Sequence, residues 1–183
     1  NDFVGGQFIW TGFDYIGEPT PYAYPARSSY FGVIDLAGLP KDSYYMYQSE
    51  WTDKEVLHLF PHWNWIPGQT IDMWCYYNHA DEVELFVNGE SQGIRRKKVY
   101  GAAHEGAAWQ HSTEYHVMWR VAFEPGEVKV VARKDGKQVG EQTIRTAGAP
   151  HHIVLKKTYQ GTLAFGTSDP TTFVEVQVVD KDG

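Results

Sequence analysis

Two carboxylates, Asp14 and Glu18, stand four residues apart in a stretch rich in Tyr, Gly and Pro. Paired carboxylates flanking a glycosidic bond can hydrolyse it, with retention at about 5–5.5 Å separation and inversion at about 6.5–9.5 Å. Two acids this close in a loop can meet that geometry. They can equally serve the loop itself, paired with Arg27 or with backbone N–H groups. The second role is favoured, because parallel α/β barrels draw their reacting groups from several strand ends and one loop rarely supplies both. Trp10 closes the apolar run of residues 6–10, just before a Gly-rich turn. An indole there either floors a sugar pocket, stacking on the C–H face of a pyranose, or fills a core. Trp63 and Trp65 flank Asn64 and follow His62. In an extended segment two such rings share one face, giving a carbohydrate platform or, as favoured here, a docking surface for a neighbouring element.

Other chemistries fit poorly. The eight His residues, among them His104, His111, His116, His151 and His152, show no metal-ligand spacing. Cys75 is the single cysteine, so neither an intrachain disulfide nor a thiolate cage can form; mid-strand in an apolar run, it reads as a core thiol. Gly5-Gly6 is followed by neither dinucleotide nor P-loop spacing. No cofactor or metal is therefore expected. The formal net charge is −7 and the only basic cluster is Arg95-Arg96-Lys97-Lys98, a poor basis for binding nucleic acid. No apolar run reaches the ~18 residues of a membrane-spanning helix.

The elements that must position these residues fall into three zones. Residues 1–51 hold a short apolar run bounded by turn residues, as in a fully buried parallel strand. A long loop follows, then a breaker-free helix over residues 43–51. Strand, loop and helix make one α/β unit, which needs partners on both sides of its strand. Residues 52–147 predict strands at 56–60, 70–77, 83–87, 91–96, 115–123, 128–133 and 139–144. Asn88-Gly89 and Asp135-Gly136 supply the left-handed positions that two-residue hairpin turns require. About seven short strands with turns every 8–12 residues predict an immunoglobulin-like sandwich. Residues 97–112 are too long for a simple hairpin loop and read as an excursion with a use of its own. Residues 148–183 read as a linker and two strand-like runs, 152–156 and 173–179, opening a further β domain. The chain starts without Met and stops at Asp180-Lys181-Asp182-Gly183 directly after an alternating run. Both ends read as cut, so the expectation is a section of a longer protein.

The string Gly5-Gly6-Gln7-Phe8-Ile9-Trp10-Thr11-Gly12-Phe13-Asp14-Tyr15, continued by Ile16-Gly17-Glu18-Pro19, resembles the last barrel strand of glycoside hydrolase family 2 enzymes, in particular bacterial β-galactosidases. Residues 27–42 resemble the loop and helix that follow it. Pro61-His62-Trp63-Asn64-Trp65, Glu84-Leu85-Phe86-Val87-Asn88-Gly89 and Thr146-Ala147-Gly148 are similar to the immunoglobulin-like domain after the barrel. Residues 173–183 resemble the start of a second accessory sandwich.

The resemblance implies a mainly β chain: residues 1–51 as the end of a (β/α)8 barrel, 52–147 as the sandwich, and 148–183 as a linker with part of another. It implies a retaining exo-β-glycosidase acting on a β-galactoside-type carbohydrate, in a periplasmic or secreted location. Both catalytic Glu residues of the family lie on barrel strands upstream of residue 1, so no catalytic residue is assigned in this chain. Trp10 matches the Trp lining the sugar subsite, and Asp14 an acidic position at the pocket rim. No metal ligand is placed. The rival reading is a carbohydrate-binding or structural β module with Trp63, Trp65 and Trp109 as platform. In either case residues 1–51 would expose apolar surface that belongs under the missing barrel. The expectation is that a second copy covers it, as a homo-oligomer or packing contact, or that the zone rearranges.

Overall fold

The computed structural model describes residues 3–17, 19, 21–162 and 170–183, which divide into two compact units, Asn1–Ile144 and Arg145–Gly183. The first unit begins irregularly. The expected buried strand at residues 6–10 does not form: Phe8 is fully exposed and Trp10 is 73% exposed. A parallel strand is held by hydrogen bonds to neighbours on both sides. Here the only parallel bridge among the described residues joins Phe13 to Ile34. Two minimal strands, β1 (Tyr15–Ile16) and β2 (Ser28–Ser29), pair antiparallel and close the loop between them.

Helix α1 spans Asp42–Trp51, one residue earlier than the sequence predicts. It contains no Gly or Pro, and Asp42 places an acid in its first turn, where the helix dipole favours one. At its end Thr52 Oγ1 and the Thr52 N–H both donate to the Gln48 carbonyl, satisfying a terminal acceptor.

The sandwich follows. Its strands are β3 (Leu57–Phe60), β4 (Thr70–Tyr77), β5 (Glu82–Val87), β6 (Glu90–Arg95), β7 (Val117–Ala122), β8 (Glu127–Lys134) and β9 (Lys137–Arg145). One sheet has the order β3-β4-β7 and the other β6-β5-β8-β9. Alternation does the sorting: Ile71, Met73, Cys75 and Tyr77 of β4 point inward, as do Val83, Leu85 and Val87 of β5 and Val117, Trp119 and Val121 of β7. Asn88 and Gly89 both have positive φ, 48° and 87°, as do Asp135 and Gly136, 50° and 73°. Those pairs turn the β5-β6 and β8-β9 hairpins where the sequence placed them.

Side chains stitch the two sheets at both edges. Gln142 Oε1 on β9 accepts the outward N–H of Leu59 on β3 at 2.6 Å. On the other side the Trp119 indole N–H donates to the Gly93 carbonyl of β6 at 2.8 Å. Each bond satisfies an edge-strand group that the ladders leave open.

Helix α1 lies on the outer face of the three-stranded sheet. Tyr45 stacks on His58 with ring centroids 3.9 Å apart, and His58 Nε2 meets the Asp42 carboxylate at 2.7 Å. The stack continues from His58 to Phe60, from Phe60 to Tyr76 and Trp74, and from Trp74 to His116. Asn78 binds the end of the helix to the sheet: its amide donates to the Ser49 and Lys54 carbonyls, and its Oδ1 accepts the Val56 N–H.

The second unit is the antiparallel hairpin β10 (His152–Thr162) and β11 (Pro170–Val179). Ile153 and Leu155 pair with Val178 and Val176, so one face is apolar, and all four are more than half exposed. The Asp180 carboxylate takes the Gly148 and Asp182 N–H groups at 2.7 and 2.9 Å, closing the linker onto the hairpin end. Those two donors hold its pKa below the usual carboxylate value.

Candidate functional site

Residues 10–17 and 27–41 fold against each other through backbone bonds. Thr11 and Phe31, Val33 and Thr11, Ile34 and Gly12, and Asp14 and Ile34 form N–H to carbonyl links of 2.9–3.3 Å. Gly32 is needed here, because a Cβ at that position would lie 2.1 Å from the Asp14 nitrogen and 2.3 Å from the Phe13 carbonyl carbon. The two segments approach too closely for any side chain.

Asp14 sits inside this crossing, with only 7% of its surface exposed. One oxygen, Oδ1, accepts both the Gly32 N–H at 2.8 Å and the Lys41 ammonium at 2.7 Å. Lys41 also donates to the Tyr30 carbonyl, and its own N–H to that of Val33. Asp14 therefore has the geometry of a loop support, with Lys41 and Gly32 as partners in place of Arg27. The carboxylate points into the crossing. Glu18, the other half of the sequence pair, lies outside the described residues.

Trp10 stands at the mouth of the same segment. Its indole N–H donates to the Tyr15 hydroxyl at 3.2 Å, and the Trp10–Thr11 peptide is cis. Within this chain the ring belongs to no core. Tyr22, Tyr30 and Phe31 form a ring cluster nearby in sequence, with centroids 5.0–5.8 Å apart around Tyr22. On the helix side an apolar groove of about 450 Å³ runs between Ile9, Val33, Tyr44, Tyr47 and Trp51. Phe13, Ile16 and Trp51 are also more than half exposed. The apolar surface expected on this zone is present.

The Trp63 and Trp65 pair separates in space. Trp63 is wholly buried, packs edge-on against Phe123 at 5.0 Å and donates its N–H to the Glu124 carbonyl at 3.0 Å. Without exposed surface it offers no face to a sugar; it is a core residue of the sandwich. Trp65 stacks on His62 at 4.4 Å and donates to the His62 carbonyl. The shared face expected of them requires extended backbone, and residues 61–65 are not a strand.

Among the described residues no group of three His, Cys, Asp or Glu side chains is placed to hold a metal ion. His116 lies half-buried against Trp74, and burial holds its pKa below the ordinary imidazole value. Cys75 is fully buried, and burial pushes its thiol well up. Asp72 and Arg120, cross-strand neighbours on the outer face, form a two-pronged pair at 2.7 and 2.8 Å that holds the carboxyl below its usual value.

Sequence reasoning missed Lys41, Gly32, Tyr15 and Asn78. Lys41 and Gly32 carried no signal beyond their place in a loop. Asn78 follows directly on the predicted strand 70–77, and an Asn at a strand end commonly binds nearby backbone.

A family model described as a domain of unknown function, DUF4982, matches residues 68–140. A β-galactosidase of Bacteroides ovatus is 61% identical over all 183 residues, which are 20% of its length. A putative β-glucuronidase of Formosa agariphila is 38% identical over 164 residues, 85% of this chain and 15% of the relative. Among solved structures, a β-glycosidase from Bacteroides vulgatus superposes with a TM-score of 0.75 at 34% identity, covering 95% of this chain and 20% of that one. A glycosyl hydrolase family 2 member from Bacteroides cellulosilyticus gives a TM-score of 0.77 at 25% identity, covering 95% and 25%. The chain thus spans about a fifth of the length of the first curated relative it matches.

Proposed function

Because the chain belongs with the glycoside hydrolase family 2 proteins, we propose that it is a section of a retaining exo-β-glycosidase, a β-galactosidase by preference. The observation that carries this reading is the 61% identity to the Bacteroides ovatus β-galactosidase, sustained over the whole chain. In this reading residues 1–51 are the end of the catalytic barrel, 52–147 its sandwich and 148–183 the start of the next. The reaction is a two-step displacement through a covalent glycosyl-enzyme, run by two Glu carboxylates about 5–5.5 Å apart. Those two residues belong to barrel strands outside this chain.

Trp10 is the residue through which this section meets the sugar. Its exposure, and the Tyr15 hydroxyl that fixes its N–H, suit a ring that stacks on a pyranose face. Asp14 acts one step back, as a positioning residue that shapes the loop carrying Trp10.

Turnover of an aryl β-galactoside tests the reading. The 183-residue chain alone is expected to show none. In the full-length protein, Trp10→Ala is expected to lower kcat/KM by about tenfold or more, the value of roughly 1.4 kcal/mol of lost stacking. Turnover by the isolated chain that disappears in Asp14→Ala would overturn the assignment of catalysis to another section. Full activity of Trp10→Ala would remove Trp10 from the pocket. A non-catalytic module remains the competing class; it requires saturable sugar binding by the isolated chain and no hydrolysis by the full-length protein.

A further inference from the structure

Beside Trp10 stands a polar group that the fold uses only in part. The Trp10 indole N–H donates to the Tyr15 hydroxyl at 3.2 Å. A phenol carries one donor and two acceptor positions. Trp10 takes an acceptor position, while the Tyr15 O–H itself has no acceptor among the described residues. The Asp14 carboxylate does not take it, because its bonds go to Gly32 and Lys41 within the crossing.

Ordered backbone carries that hydroxyl. Tyr15 lies in β1, in register with Ser29 of β2, and its half-buried ring rests 6.5 Å from that of Phe31. Ser29 is fully buried, and next to the pair the Gly17 N–H donates to the Arg27 carbonyl at 3.0 Å. Trp10, by contrast, is largely exposed, and among the described residues no aromatic ring lies against it. An indole N–H points outward in the plane of its ring, so its acceptor stands just beyond the ring's edge. The hydroxyls of a pyranose lying on an indole project past that same edge. A donor fixed there before binding lowers the entropic cost of association.

We propose that Tyr15 is a second sugar-contacting residue: its oxygen accepts the Trp10 N–H while its O–H donates to a hydroxyl of the pyranose stacked on Trp10. This rests on the reading of Trp10 as the ring through which this section meets the sugar. A donor at the rim of the platform selects for a free hydroxyl at that rim, because a sugar lacking it leaves the phenol O–H unpaired against the bound ring. An apolar ring could stack on Trp10 but would give Tyr15 no acceptor. The contact narrows the substrate from any pyranose with a stacking face to one unsubstituted at the hydroxyl that meets Tyr15.

Turnover of nitrophenyl β-galactoside and of its monodeoxy analogues by the full-length protein tests this. Tyr15→Phe keeps the ring against Phe31 and removes only the hydroxyl. It is expected to lower kcat/KM on the parent galactoside about tenfold. On the monodeoxy analogue that lacks the contacted hydroxyl, the same substitution is expected to cost about twofold or less, since the partner is already gone. On the other analogues the loss stays near that of the parent. A role confined to fixing the Trp10 ring, or a general loss of folding, would lower turnover of every analogue equally. That uniform loss, or no loss on the parent, would overturn the proposal. Trp10→Ala in the same assay separates the two levels of the argument. Full activity of Trp10→Ala, or no turnover of the galactoside by the unaltered protein, removes the reading of Trp10 and this contact with it. Impaired Trp10→Ala beside a uniform Tyr15→Phe loss overturns the contact alone.

Discussion

Lys41 and Asp14 meet at 2.7 Å inside a crossing of two backbone segments, with the Asp14 side chain almost fully enclosed and the Lys41 side chain one-third exposed. The pair joins the residue before helix α1 to the loop that carries Trp10. Replacing Lys41 by Met strands a buried carboxylate with one N–H donor, at a cost of about 1–3 kcal/mol. Thermal unfolding should show the loss, and amide exchange at Gly32 should quicken. Asp14→Asn keeps an acceptor for Gly32 and should cost less than Asp14→Ala.

Asn88 and Gly126 form a comparable close approach within the sandwich. The Asn88 side chain takes the Glu127 N–H at 2.8 Å and donates to the Pro125 carbonyl at 3.3 Å, joining two turns. A Cβ on Gly126 would lie 2.0 Å from Asn88 Oδ1, and Gly126 has φ near 136°. Gly126→Ala should destabilise the chain by about 1 kcal/mol or more. Because the substitution and Asn88→Ala act on the same contact, the double variant should lose less than the two single losses added together.

Trp63→Ala should be strongly damaging, costing about 3–5 kcal/mol as a cavity opens in the core and the Glu124 carbonyl loses its donor. Trp65→Ala should cost less, because Trp65 is only partly buried. Denaturant midpoints measured side by side provide the check.

His116 gives the fold a pH dependence of defined sign. Its pKa is lowered by burial, so the unfolded chain binds this proton more readily than the folded one. The stabilising contribution is complete above the ordinary value of 6.5 and is lost as pH falls below it. Melting temperatures should drop between about pH 7 and pH 5, and His116→Phe should make that drop shallower. An equal drop in the variant would assign the effect to other groups.

Much of this architecture was legible because its signals are local. Strand β4 occupies the eight residues predicted as a strand, and the two-residue turns fell on Asn88-Gly89 and Asp135-Gly136. Residues 6–10 misled for the opposite reason: an apolar run states what must be covered but not which partners will cover it. Trp63 shows the same limit. A Trp two residues from another reads as a platform only if the chain is extended, and a turn there sends one indole into the core. Lys41 and Gly32 were invisible because their roles arise where segments far apart in sequence cross. Trp10 was singled out by its place at the end of an apolar run and then by a string resemblance, and its exposure in this chain could not have been read from periodicity.

The ring stack running from Tyr45 through His58 to Phe60 and Trp74 has a consequence for how this unit comes apart. With Asn78 holding the helix terminus, α1 has no independent melting event available to it. Heating or denaturant should release helix and sheet in one cooperative transition, with far-UV ellipticity and tryptophan emission tracing the same curve.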